Sequence, residues 1–151
     1  SKQAAIDGDV GQAIRYLERA TAANETLRSL DDARRLISEA TTAQAAIDEL
    51  LLQGERLQQV GQRLEPKGEN SAERYQQVLA TDPDNVRAIR AMSELARWVQ
   101  QEGERLLRLG QLREIEMLVL SASQRGISTE VVSELRGALE NEVERRDTIN
   151  A

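Results

Sequence analysis

The chain has 151 residues, with 20 lysines and arginines against 26 aspartates and glutamates, a net charge of −6, and neither histidine nor cysteine. That composition excludes a disulfide framework and thiolate chemistry and removes the commonest general base and metal ligand at neutral pH. It also argues against general binding to nucleic acid or to an anionic membrane, because phosphate neutralisation drives both.

Tyr16, Tyr75 and Trp98 are the only aromatic residues, set among Ala, Leu, Glu, Gln and Arg. Those are strong helix formers, and a β-sandwich would need more β-branched and aromatic side chains. The expectation is an all-α fold in one domain over residues 1–151. No apolar run approaches the roughly 18 to 20 residues that span a bilayer. Because the first residue is Ser rather than Met, the chain reads as a piece excised from something longer.

Turn signals divide the sequence into about seven helices. The first is expected over 10–22 after "DGD", with Ala13, Ile14, Leu17 and Ala20 on one face, and the second opens at Asn24 with Leu27, Leu30, Ala33, Leu36 and Ile37. A third is expected over 43–64, its apolar stripe being Ala43, Ala46, Ile47, Leu50, Leu57, Val60 and Leu64, with "EPKGEN" as its stop. Asn70 followed by Glu73 is a capping-box pattern for a fourth helix over 71–80, with Tyr75, Val78 and Leu79 inward. In "TDPDN", Asp82 is placed as a cap and Pro83 at the first position of a long central helix over 83–109. "LGQL" then breaks the chain before a sixth helix over 112–125, and "RGIS" before a seventh over 129–146.

Residues 8–40 and 110–142 align as two copies of one pattern. With Gly8 laid on Gly110, Ala13 falls on Ile115, Leu17 on Val119, Ala20 on Ala122, Leu30 on Val132, Ala33 on Leu135 and Ile37 on Leu139. Each hairpin of that kind carries one apolar stripe that it buries only by stacking on a neighbour.

Tyr75, Val78 and Leu79 followed by "TDPDN" resemble the second helix and closing turn of a tetratricopeptide repeat. "GDVGQAIRYLERA" (8–20) is similar to another second helix, with Ala13, Leu17 and Ala20 in its small, large and small slots. In "VQQEGERLLRLGQLREIEMLVLSA" (99–122), Gly103 fits the close-packing glycine of a first helix, Gly110 the turn, and Ile115, Val119 and Ala122 the second-helix slots. The span from the Asp-Pro turn to Gly103 is about ten residues longer than an ordinary repeat, nearly three helical turns. The run "RLEPKGENSAERYQQVLATDPDNVRA" also resembles helical segments of membrane-anchored proteobacterial envelope proteins, some related to TonB-type energy transducers. The first resemblance implies a helical-hairpin solenoid that binds a protein or peptide in its groove; the second implies the periplasmic side of the bacterial envelope.

No catalytic constellation stands out. Asp31 with Asp32 and Glu102 with Glu104 read as solvated helix surface, and "DPDN" lacks the glycine and distal glutamate of an EF-hand loop. A noncatalytic protein with neither cofactor nor metal is therefore expected. The informative surface is one polar stripe at helical spacing, Arg87, Arg90, Glu94, Arg97, Gln101, Glu104 and Arg108, set opposite Ile89, Leu95, Val99 and Leu106.

In a tetratricopeptide-like repeat the first helices line the concave groove, and arginines there would hold carboxylates bidentately. The other reading of the stripe is a solvated face laced with weak ion pairs. Trp98 beside it is read either as a binding hot spot or as packing against the neighbouring hairpin. The partner-binding set is thus Arg87, Arg90, Glu94, Arg97, Trp98, Gln101 and Arg108. The partner would be a protein or peptide, or a second copy of the chain in a homodimer, with no nucleic acid and no membrane insertion. A helical spacer or dimerisation module of a larger envelope protein is the competing role.

Overall fold

In the computed structural model the described residues are all-helical, with five helices among them in place of the expected seven: α1 (Lys2–Gln59), α2 (Ser71–Thr81), α3 (Val86–Arg108), α4 (Leu112–Gln124) and α5 (Thr129–Asn150). The structure describes residues 2–150, with side chains from Val10 onward; the expected domain bounds at 1 and 151 lie outside them. By its contacts the chain separates into two units, one up to Ala45 and one from Ala46 on.

The three helices expected over 10–64 are one continuous helix, because nothing in that stretch is strong enough to stop it. The first proline is Pro66, and a glycine inside a helix costs only about 1 kcal/mol against alanine. The threonines of that stretch bond back into the helix. Thr26, Thr41 and Thr42 donate their hydroxyls to the carbonyls of Ala22, Ile37 and Ser38 at 2.8 to 2.9 Å. Residues 8–40 therefore do not repeat the hairpin of 110–142, and Ala13, Leu17, Ala20, Leu30, Ala33 and Ile37 are exposed rather than inward.

What ends α1 is Gly61, five residues ahead of the expected proline stop. Its φ of +83° suits glycine, and the termination is a complete Schellman motif: the Gly61 N–H donates to the Gln58 carbonyl and the Gln62 N–H to the Leu57 carbonyl. Val60, expected inward, lies past the last turn and is exposed. The same paired bonds close α3 at Gly110 and α4 at Gly126.

In the unit from Ala46 on, α3 packs on α2, α4 and α5, and α4 on α5. Asn70 caps α2 by accepting from the Glu73 N–H at 2.9 Å, while the Glu73 carboxylate reaches back to the Gly68 N–H at 2.8 Å. Asp82 and Pro83 do not start α3. Asn85 does, accepting from the Ala88 N–H at 3.0 Å, and Asp82 closes α2 instead.

The core holds Tyr75, Val78, Leu95, Val99, Ile115, Val119 and Ala122, with Ile47 and Leu51 from the end of α1 and Val132 and Leu135 from α5. Gly103 sets the approach of α3 to α5: a Cβ built there would collide with the Leu135 side chain. Gly54 does the same against the Tyr75 ring, where a Cβ would lie 2.7 Å from Cε1.

Candidate functional site

The polar stripe predicted on α3 is on its solvent side, with Arg87, Arg90, Glu94, Arg97, Gln101, Glu104 and Arg108 all exposed and Leu95, Val99 and Leu106 buried behind them. The repeat of three and four residues keeps charged groups on one side of the helix and apolar groups on the other. Ile89 departs from the expected inward position and is 46% exposed.

The stripe does not form one site, because neighbouring elements cover only part of it. At its N-terminal end Arg87, Arg90 and Glu94 face Glu55, Gln58 and Tyr75 across a cleft of about 230 Å³. The Arg87 guanidinium donates to the Glu55 carboxylate at 2.6 Å and ties α3 to α1. Both side chains are half exposed, so this pair contributes at most about 1 kcal/mol.

Tyr75 forms the floor of the cleft, donating its hydroxyl to the Gln58 side chain at 3.1 Å. Burial first, then the carboxylates of Glu55 and Glu94, push its pKa up to about 12. The phenol is thereby held as a neutral donor rather than as a base. Arg97, Gln101 and Arg108 continue along α3 away from this cleft.

Trp98 belongs to a second cleft, of about 440 Å³, with Arg63, Leu64 and Glu65 from the loop after α1, Glu102 and Arg105 from α3, and Met117, Leu118 and Ser121 from α4. The Arg63 guanidinium lies 4.8 Å from the centre of the indole, a cation–π contact. Glu102, one turn along α3 from Trp98, is gripped by Arg105 through two guanidinium nitrogens, Nε at 2.9 Å and Nη2 at 2.5 Å. That fork holds the Glu102 carboxyl below the usual carboxylate range. Trp98 is half-buried, packing against the core while also lining the cleft.

Two arginines of this second cleft were not among the predicted site residues. Arg105 sits seven residues after Trp98, two turns along the same helix face, and that spacing was a usable signal. Arg63 lies in a loop 35 positions upstream, and no local pattern links it to Trp98.

The loop that supplies Arg63 is held by a buried arginine. Arg125, 6% exposed, closes α4 and donates through Nε to the Leu64 carbonyl at 2.9 Å. Its guanidinium also meets Glu73 at 3.3 Å and Glu65 at 3.5 Å, and Ser121 donates to the other Glu65 oxygen at 2.7 Å. Because the buried cation is matched by two carboxylates and a carbonyl, it fastens the loop to α4 rather than straining the core.

Among the described residues no group of three or more acidic side chains is placed to hold a metal ion, and no helix is long and apolar enough to cross a membrane. No protein-family model, curated protein or solved structure matches the chain.

Proposed function

We propose that this protein is a noncatalytic, tetratricopeptide-like interaction module that receives a protein or peptide partner against α3, as part of a bacterial envelope assembly. The observation that supports this most directly is the cleft at Trp98. A half-buried indole, stacked by Arg63 and flanked by Arg105, combines the aromatic and guanidinium groups that dominate binding energies where they are desolvated together. The partner would set an apolar residue on the indole and present carboxylates to the arginines, with Arg90 and Arg97 orienting it along the stripe.

The test is a pull-down from a proteobacterial envelope extract with the native chain beside a variant carrying Arg90→Glu, Arg97→Glu and Trp98→Ala, the two matched for helical circular dichroism. Capture of a protein that the variant loses supports the reading. Identical capture by both chains, or capture by neither, overturns it.

A second reading, a self-associating structural part, is favoured by a different observation. Val10, Ile14, Tyr16, Leu17, Leu27, Leu30, Leu36 and Ile37 of α1 are each half exposed or more.

A further inference from the structure

Beyond Leu135, α5 adds no buried residue among those described, yet its second half is tied down. Arg146 donates through Nη2 to the Gly110 carbonyl, in the turn between α3 and α4, at 3.1 Å, and through Nε to Glu142 on its own helix at 3.2 Å. Gly110 admits that contact because it has no side chain: a Cβ there would stand 2.6 Å from Nη2. The second half of α5 is thereby held beside the first turn of α4, and the two line a groove of about 650 Å³, larger than either cleft on α3.

Leu112, Leu139 and Val143 supply the apolar lining of this groove, and Arg113, Glu116, Glu140 and Glu144 its charged groups. Leu112 and Leu139 also pack against the core, whereas Val143 is 41% exposed. Leu139 and Val143 stand one turn apart on α5, as do Glu140 and Glu144, and the acidic pair is turned by about 100° from the apolar pair. Carboxylates therefore run alongside the aliphatic row.

Those carboxylates are uncompensated. Glu116, Glu140 and Glu144 form no salt bridge among the described residues. The two arginines nearest on α5 are taken by Glu142, Arg145 through Nε at 3.0 Å and Nη2 at 2.6 Å and Arg146 through Nε. Three carboxylates against the one guanidinium of Arg113 leave the groove with an excess of negative charge around an apolar lining.

We propose that this groove receives a helix of another protein, an amphipathic one with aliphatic side chains along one side and lysines or arginines flanking them. A helix fits because the walls are themselves two packed helices, and a third lies in the furrow between two by the same interdigitation of side-chain rows. Its aliphatic row would meet Leu112, Leu139 and Val143, and its cations Glu116, Glu140 and Glu144. An uncharged helix would cover carboxylates without pairing them and an acidic one would add like charge, so the groove selects a basic occupant. The Arg146 contact fixes the walls beforehand, so docking requires little further ordering.

This surface is separate from the α3 clefts and does not rest on their assignment. The experiment is fluorescence anisotropy, with the full chain titrated into a labelled, alanine-based helical peptide about four turns long. Leucines recur along it at steps of three and four with lysines on either side, and a second peptide carries glutamate in place of lysine. Saturable binding of the lysine peptide is expected with a dissociation constant on the order of 10 µM, and no saturable binding of the glutamate peptide. Val143→Asp changes a residue outside the buried core and is expected to weaken the lysine peptide roughly 30-fold or more. Glu140→Lys combined with Glu144→Lys is expected to exchange the preference, weakening the lysine peptide roughly tenfold and admitting the glutamate peptide. Both variants are expected to keep the native urea transition monitored through Trp98. The Arg90→Glu, Arg97→Glu, Trp98→Ala chain is expected to bind the lysine peptide as the native chain does, which separates a failure here from a failure of the α3 reading.

Absence of saturable binding by the lysine peptide overturns the proposal. Binding that Val143→Asp leaves intact is attraction to the acidic chain as a whole and overturns the groove. A preference unchanged by the charge reversal overturns the basic occupant. A native chain that doubles its mass in sedimentation equilibrium, and returns to single mass with Val143→Asp, gives the groove to a second copy and overturns the proposal as well.

Discussion

Arg125 shows how much a single residue can carry that its sequence neighbourhood does not announce. In "RGIS" it reads as the end of a helix before a glycine turn, and it is that; yet its guanidinium is buried, and it holds the Leu64 carbonyl, Glu65 and Glu73 together. Replacing it with methionine keeps most of the side-chain volume and removes the donors, leaving a buried carbonyl unsatisfied and two carboxylates without their cation. Glu65 is half open to water and softens the loss. Arg125→Met is therefore expected to lower stability by about 2 to 3 kcal/mol, and Arg125→Lys by less, read as the midpoint shift in urea by circular dichroism. Tyr75 is the opposite case. A lone aromatic at helical spacing with Val78 is expected inward from the sequence, and it is 2% exposed.

At the scale of elements, the helices after residue 70 were legible and those before it were not. Asn70 with Glu73, Gly110 and the glycine after Arg125 each impose a specific backbone conformation, and the structure places helix ends at all three. Between residues 10 and 60 the named turn signal, Asn24, was a weak one. A helix interior tolerates it, since it costs well under 1 kcal/mol against its neighbours. The residue that stops α1, Gly61, was passed over in favour of the proline behind it. Its φ is +83° and nothing lies within 4 Å of where a Cβ would stand, so the cost of Gly61→Ala is purely conformational. A loss of about 1 to 2 kcal/mol is expected, with unchanged helical content, measurable as a lowered thermal midpoint. An unchanged midpoint would mean that the Schellman turn contributes nothing to stability.

For the whole molecule, the division at Ala45 matters more than the helix count. Every residue of the described buried core lies between Ile47 and Leu135, so the unit from Ala46 on holds its own apolar interior. A chain beginning at Ala46 is expected to keep a single cooperative urea transition monitored through Trp98. Multiphasic unfolding of that shortened chain would show that the core depends on the first 45 residues. The candidate site was half legible on the same ground. The periodicity of α3 names which residues face outward, but whether outward-facing residues line a cleft depends on what lies beside the helix. Arg90 gains Glu55 and Tyr75 as neighbours and Trp98 gains Arg63, while Arg97 lies beyond the first cleft.

Composition and periodicity by themselves determined that this protein is helical, that Tyr75, Val78, Leu95 and Val99 are core, and that α3 turns a charged face to water, because each follows from local propensity and a repeat of 3.6 residues. Only the tertiary structure decided that residues 2–59 form one helix, that Trp98 stacks with Arg63, and that Arg125 is buried. The last two depend on contacts between residues far apart in the chain, and the first on how weakly single turn signals act inside a long helix; neither is written in a local pattern.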